Sequence, residues 1–312
     1  MKKLLLILLC VPLIYSCGDK KETDKDEDIE LSDRAKGINY RKKADSLRVL
    51  YYQNLIDQVN SIEHISKSLE YYRLSLLSLP YKLDERSSEE SDAIKYSMAE
   101  CYMLLKGYDQ AIILLKEICV DFEKDKDAYL LLAQCFYNID DEKESLNICD
   151  SLITQHPLFI EPLLLSGNIY AENYDDKALK YYELALQIDS LSIKALYGKG
   201  LFLQNNQRYS EALDLYYKMK EIDPFNIDAT FNLGFIFMEL RDFNIAINYF
   251  SDVILTEEMY YKAYLARGIC FEKKGDIRAA ERDYRRSLEI YPRYMDAQGY
   301  LDRLLLNNEK YK

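Results

Sequence analysis

A period of 34 residues constrains this chain more than any other feature of its sequence. Between Ile193 and Tyr294 three blocks of 34 residues align without a gap: Ile193–Asn226, Ile227–Tyr260 and Tyr261–Tyr294. Counted from the first residue of each block, position 8 is Gly200, Gly234 and Gly268. Position 20 is Ala212, Ala246 and Ala280, and position 24 is Tyr216, Phe250 and Tyr284. A length of 312 residues would ordinarily suggest two globular domains. A repeat breaks that rule, because the chain grows by adding units along one axis, each contacting only its neighbours.

Small residues at positions 8 and 20 with an aromatic at 24 resemble the tetratricopeptide repeat. The resemblance implies an all-α fold, a right-handed superhelical solenoid of helix pairs ended by a C-terminal closing helix. It also implies an architecture that holds other proteins. In such a unit helix A must approach helix B closely, so the crossing takes only Gly, Ala or Ser, and the ring at 24 fills the space beyond it. Proline at position 32 stops helix B, because it cannot donate the next backbone bond. Scarce proline and glycine, 6 and 10 residues, suit helices throughout.

The same register extends upstream. Asp92 to Asp125 carries Ala99, Tyr102, Tyr108 and Ala111, and Lys126 to Phe159 carries Ala133, Phe136, Ser145 and Pro157. The unit from Ile160 to Ser192 is one residue short, with Gly167, Tyr170, Ala178, Tyr182 and Ala185. Residues 92–294 therefore hold six units. Before them, Leu31 to Asn60 is apolar at helical intervals and Ser61 to Leu79 continues as a second helix. Val49 to Pro80 reads as a degenerate first repeat preceded by its own helix. Tyr81 to Ser91 (YKLDERSSEES) is polar throughout and reads as a loop closing a segment of residues 31–91. Residues 295–312 begin another helix A, with Leu301, Leu304, Leu305 and Leu306, and are expected to hide the apolar face of the last unit.

Residues 1–16 read as a processing segment. Lys2 and Lys3 precede an apolar run from Leu4 to Ile14 that is too short for the ~20 residues a membrane-spanning helix needs. Ile14-Tyr15-Ser16-Cys17 resembles the bacterial lipobox, which implies cleavage before Cys17, lipidation of Cys17 and attachment to a membrane through the lipid. The alternative is an ordinary secretory signal. Residues 17–30 include Gly18 to Glu30 (GDKKETDKDEDIE), with too little apolar surface to offset the entropy of ordering. They are expected to form a disordered acidic tether of roughly 20 Å average span. Acid-rich tracts after the lipid cysteine resemble export signals of lipoproteins in the Bacteroidetes lineage. That implies a bacterial cell envelope location, at the outer membrane, with either face open. A plain solvated spacer explains the tract as well.

Charge and motif content narrow the function. The formal charge of −12 repels nucleic acid and anionic lipid headgroups. No metal-protease, nucleophile-elbow or phosphate-loop pattern occurs, so no catalytic residue, metal ligand, cofactor or small-molecule substrate is assigned. Cys101, Cys135 and Cys270 all fall at block position 10, a small site suited to core packing. With Cys119 and Cys149 they make an odd number of thiols, which excludes a fully paired disulfide set. Arg278, Arg282 and Arg286 form a basic stripe with Arg285 beside them, open to an acidic partner or to pairing with Glu281, Asp283 and Glu289.

The resemblance further implies a concave surface lined by helix A. The residues there are Tyr96, Tyr137, Tyr197, Leu201, Phe231, Phe235, Met238, Leu265 and Ile269, an apolar and aromatic groove. Such a stripe marks an interface for an amphipathic helix or an extended peptide, or is covered by curvature or by the helix from Leu31 to Leu47. Relatives that clamp a carboxylate line this surface with basic residues, whereas Lys194, Lys262 and Lys273 are the nearby cations here. The expected protein is an adaptor for other envelope proteins. A self-associating structural subunit is the alternative, and a ligand-binding solenoid follows it.

Overall fold

The computed structural model describes residues 33–53, 58–79, 85–120 and 125–309. The processing segment, Cys17 and the acidic tether lie outside the described residues. Among the described residues there are fifteen helices and no strand, so the fold is an all-α solenoid of helix pairs. Contacts divide the chain into two compact units between Pro162 and Leu163.

In the first unit, α1 (Asp33–Gln53) packs along α2 (Gln58–Leu77). Ser68 sits at their crossing, where its Oγ donates to the Ala44 carbonyl at 2.8 Å, and Ser75 does the same to Gly37 at 2.9 Å. Tyr72 fills the space beyond and donates to Asp45. The helix from Asp33 is therefore the A helix of this pair, so the pair begins well before Val49. Next comes α3 (Glu85–Leu104), which starts inside the stretch whose polarity reads as a loop. The reason is physical: polar residues suit the solvent-facing side of a helix as well as a loop, so polarity alone does not separate the two. Arg48 reaches from α1 to pair with Glu100 on α3. The unit continues with α4 (Tyr108–Ile118), α5 (Lys126–Asn138) and α6 (Glu142–Gln155).

The second unit takes up α7 (Ile160–Glu172), whose Pro162 falls in the first turn, where no intrahelical donor is lost. It continues with α8 (Lys177–Ile188), α9 (Ile193–Asn205), α10 (Tyr209–Ile222), α11 (Ile227–Glu239), α12 (Phe243–Thr256), α13 (Tyr261–Lys273), α14 (Ile277–Ile290) and α15 (Met295–Glu309). Three helices begin on the first residue of a 34-residue block. The residue before two of them caps the helix: Ser192 accepts from the Ala195 amide at 3.4 Å and Asn226 from the Ala229 amide at 2.9 Å. The short unit loses its residue from the start of helix B, since α8 has 12 residues where α10, α12 and α14 have 14.

The crossings explain the small residues. A Cβ at Gly167 would stand 2.8 Å from Tyr182, at Gly200 2.9 Å from Tyr216, at Gly234 2.8 Å from Phe250 and at Gly268 2.6 Å from Tyr284. Real side chains do not approach that closely, so the ring at position 24 occupies the volume a side chain at 8 would need. Ala178, Ala212, Ala246 and Ala280 are fully buried at the same crossings. Gly198 has a related task, because a Cβ there would come within 2.6 Å of Tyr182 from the next helix A. We expect Gly234→Leu to lower stability by ~1–3 kcal/mol through overpacking. Urea denaturation followed by far-ultraviolet circular dichroism reads this, and an unchanged midpoint would reject the crossing.

The A–B turns after α3, α5, α7, α9, α11 and α13 close in the same way. Lys106, Asp140, Tyr174, Gln207 and Arg241 have positive φ, between 55° and 66°, and Gly275 has φ 83°. The amide of the following residue then bonds back to the helix, as in Gly107 to the Tyr102 carbonyl at 2.7 Å and Asp242 to the Phe237 carbonyl at 2.9 Å. This left-handed closure satisfies carbonyls that the end of helix A leaves unpaired.

Candidate functional site

The second unit places three A helices, α9, α11 and α13, side by side. Their packing against α10, α12 and α14 consumes one stripe of each helix, with Leu196, Leu203, Leu233 and Ile236 buried in it. A second stripe carries Tyr197, Leu201, Phe231, Phe235, Met238 and Ile269, all half-buried. Leu265 is on α13 but only 6% exposed, and offers almost no surface. In the first unit Tyr96 is half-buried on α3, and Tyr137 on α5 is 3% exposed. Seven of the nine sequence-derived contact residues thus lie on α9, α11 and α13.

The face is aromatic at one end. The Phe231 ring lies 5.4 Å from both Phe250 and Tyr260. Phe231 is thereby anchored in the core as well as present at the surface, while Phe235 and Met238 sit one and two turns further on. The N-terminal helix packs on α2 within the first unit.

A polar patch adjoins these rings. Gln204 Nε2 donates to Asn232 Oδ1 at 3.2 Å, and Asn232 Nδ2 donates to the Asp228 carbonyl at 2.7 Å. Burial pushes the Tyr197 hydroxyl up to about 12, aided by the Asp228 charge and opposed by a hydrogen bond to Asn232. Burial and the same charge push Tyr260 up to about 12. Asp228 is exposed, yet partial desolvation raises its carboxyl, against the pull of Lys262. Sequence reading missed Asn232, Asp228 and Tyr260. One signal was available: Asn232 stands at block position 6, where the flanking copies have Gly198 and Ala266.

Other candidate groups are accounted for within the scaffold. Arg285 pairs with Glu281, and Arg286 with Glu289 and Glu258. Asp283 is taken by Arg267, which grips it through Nε at 2.8 Å and Nη2 at 2.9 Å. Arg278 and Arg282 are exposed, so the basic stripe is a solvated, partly paired face of little energetic weight. Cys101, Cys135, Cys149 and Cys270 are buried. Burial pushes the Cys101 thiol up to about 11 and those of Cys135 and Cys270 to about 12, which disfavours the reactive thiolate. Among the described residues no group of side chains is arranged to hold a metal ion, and no helix is long and apolar enough to cross a membrane.

With the helix pairs and crossings described, comparison with known proteins is informative. Residues 127–158 and 231–294 each match a family model of the tetratricopeptide repeat, one stretch in each unit. The two matches place tetratricopeptide repeats in both units. Human RNA polymerase II-associated protein 3 is 28% identical over 122 residues, covering 39% of this chain and 18% of its own length. The chain therefore spans less than a fifth of that relative. A crystal structure of a tetratricopeptide repeat protein from Parabacteroides merdae is similar with a TM-score of 0.57 at 13% identity, over 85% of this chain and 99% of that one. The crystal structure of the APC/C hetero-tetramer Cut9-Hcn1 is similar with a TM-score of 0.58 at 16% identity, over 84% and 55% of the two chains. At these identities the likeness concerns the fold alone.

Proposed function

We propose that the chain is a lipid-anchored adaptor of the bacterial cell envelope, and that the α9–α11–α13 face holds a segment of a partner protein. One observation carries the binding role: three adjacent A helices leave Tyr197, Leu201, Phe231, Phe235, Met238 and Ile269 half-buried along a single face. An apolar stripe of this kind is the surface that an amphipathic helix or an extended peptide covers. Support for the location comes from Ile14-Tyr15-Ser16-Cys17 and the acid-rich tract after it. Gly18, rather than an aspartate, after Cys17 supports an outer-membrane position.

Crosslinking in the native organism, followed by recovery of the chain, tests both parts. Phe235→Ser with Met238→Ser is expected to remove the crosslinked partner while helicity is retained, because neither ring nor thioether is needed at a helix crossing. An identical crosslinking pattern would count against the face. Cys17→Ala is expected to move the protein out of the membrane fraction, and continued membrane association would count against the anchor.

A further inference from the structure

The half-buried stripe on the α9–α11–α13 face has a width as well as a chemistry. On α11 it runs from Phe231 through Phe235 to Met238, and all three side chains are half-buried. Steps of four and three residues keep them on one side of the helix. At a rise of 1.5 Å per residue the stripe is about 10 Å wide before the breadth of the side chains is added. An extended segment is narrower, since neighbouring strands lie ~4.8 Å apart. Laid across α11, it would leave one end of the stripe in water. A helix with its side chains is ~10–12 Å across and covers the whole of it.

The stripe also has a pitch. Cα atoms of α11 come within 8 Å of those of α9 and of α13, so the three A helices are direct neighbours. Each contributes a half-buried apolar side chain at block position 9, namely Leu201, Phe235 and Ile269. Packed helices lie ~8–10 Å apart, so a bound segment must offer the face an apolar group about that often. A β-strand does not, because its residues on one side fall at ~7 and ~13 Å. A polyproline II chain repeats at ~9 Å, which matches the pitch but not the width. An α-helix advances ~10.5 Å in seven residues and returns nearly to the same side, so it meets both. The charges flanking the stripe have both signs, Asp228 and Glu239 against Lys262 and Lys273, all exposed. They favour neither an acidic nor a basic segment, which leaves shape and apolar spacing to select.

We infer that the segment held on this face is an amphipathic α-helix laid across α9, α11 and α13, with apolar residues at i, i+7 and i+14. The inference rests on the reading of that face as a binding surface and names the kind of segment it takes. A helix of about 15 residues, ~22 Å long, reaches all three A helices. Phe231, set between Phe250 and Tyr260 with both ring centroids at 5.4 Å, gives that helix a rigid edge to pack against.

The test measures fluorescence anisotropy of two labelled synthetic peptides titrated with the full-length chain. One is a hydrocarbon-stapled helix of about 18 residues with leucines seven apart on one side. The other is a proline-rich peptide of the same length with a leucine at every third residue, held as polyproline II. The stapled helix is expected to bind about tenfold more tightly or better. Phe235→Ser with Met238→Ser should weaken its binding by about tenfold, with circular dichroism confirming that the variant is folded. Moving the central leucine one place along the stapled helix turns it about 100° out of line and should weaken binding as well. Equal or tighter binding of the proline-rich peptide would overturn the helical occupant and leave the binding face standing, as would indifference to the moved leucine. Binding that survives the double substitution, or binding of neither peptide, would overturn the face and the helix together.

Discussion

Truncating Phe250 to alanine is expected to destabilise the second unit by about 3–5 kcal/mol, the range for emptying a large buried aromatic site. Phe250 is fully buried, and its ring fills the crossing that Gly234 leaves open while touching Phe231, Ala266 and Cys270. The loss should appear as a lower urea midpoint. Hydrogen exchange should report it first on α11 and α12, since in an array each pair depends chiefly on its neighbours. A uniform loss of protection along all fifteen helices, or no loss, would contradict this picture. The double variant Gly234→Ala with Phe250→Leu should cost less than the sum of the singles, since each change relieves the other.

Asp283→Ala is expected to cost about 3 kcal/mol, because it strands the Arg267 guanidinium in a largely buried position. Arg267 reaches from α13 to Asp283 on α14 and to Ser251 Oγ on α12 at 3.0 Å, so one guanidinium ties three helices. The rings of Tyr264 and Phe271 enclose it at 5.6 Å and 5.9 Å. Asp283→Asn keeps one acceptor but loses the charge and turns an N–H2 toward the guanidinium, so it should cost nearly as much as Asp283→Ala. Replacing both partners, Arg267→Met with Asp283→Leu, should be nearly neutral, which distinguishes an uncompensated charge from lost packing. Thermal denaturation of the three variants decides the order. Removing Glu281 from the exposed pair with Arg285 should leave the midpoint where it was.

Much of the scaffold was legible in the chain. Ile193, Ile227 and Tyr261 open both the sequence blocks and the helices α9, α11 and α13. The glycines at position 8 could be read because steric exclusion leaves few residue choices, and exclusion writes itself plainly into a sequence. Features with many acceptable residues were not legible. Glu85 starts a helix in a stretch whose polarity suits an exposed turn equally well. In the pair of α1 and α2 Ser68 faces Ala44, and the glycine that meets α2 is Gly37, two turns earlier, so its boundaries could not be placed by register. On the candidate face, periodicity located Tyr197, Phe231 and Phe235 but could not show how far Leu265 and Tyr137 are buried. That depends on the angle between consecutive pairs, which no spacing encodes. The patch around Gln204 and Asn232 depends on contacts between residues 28 positions apart, and only the odd Asn at a small site betrays it.

The left-handed turn after α3, α5, α7, α9, α11 and α13 carries a consequence for how the chain comes to be folded. Its residues are Lys106, Asp140, Tyr174, Gln207, Arg241 and Gly275, so five of the six hold a conformation that glycine would adopt with less strain. The bonds that lock it span five residues at most. Each hairpin can therefore start to form as soon as its own stretch has been synthesised, before any later helix exists. Contacts this local favour rapid folding, and growth of the array by one hairpin at a time keeps unsatisfied apolar surface confined to its leading end. Helix α15 covers the apolar face of the α13–α14 pair with Ala297, Leu301 and Leu304.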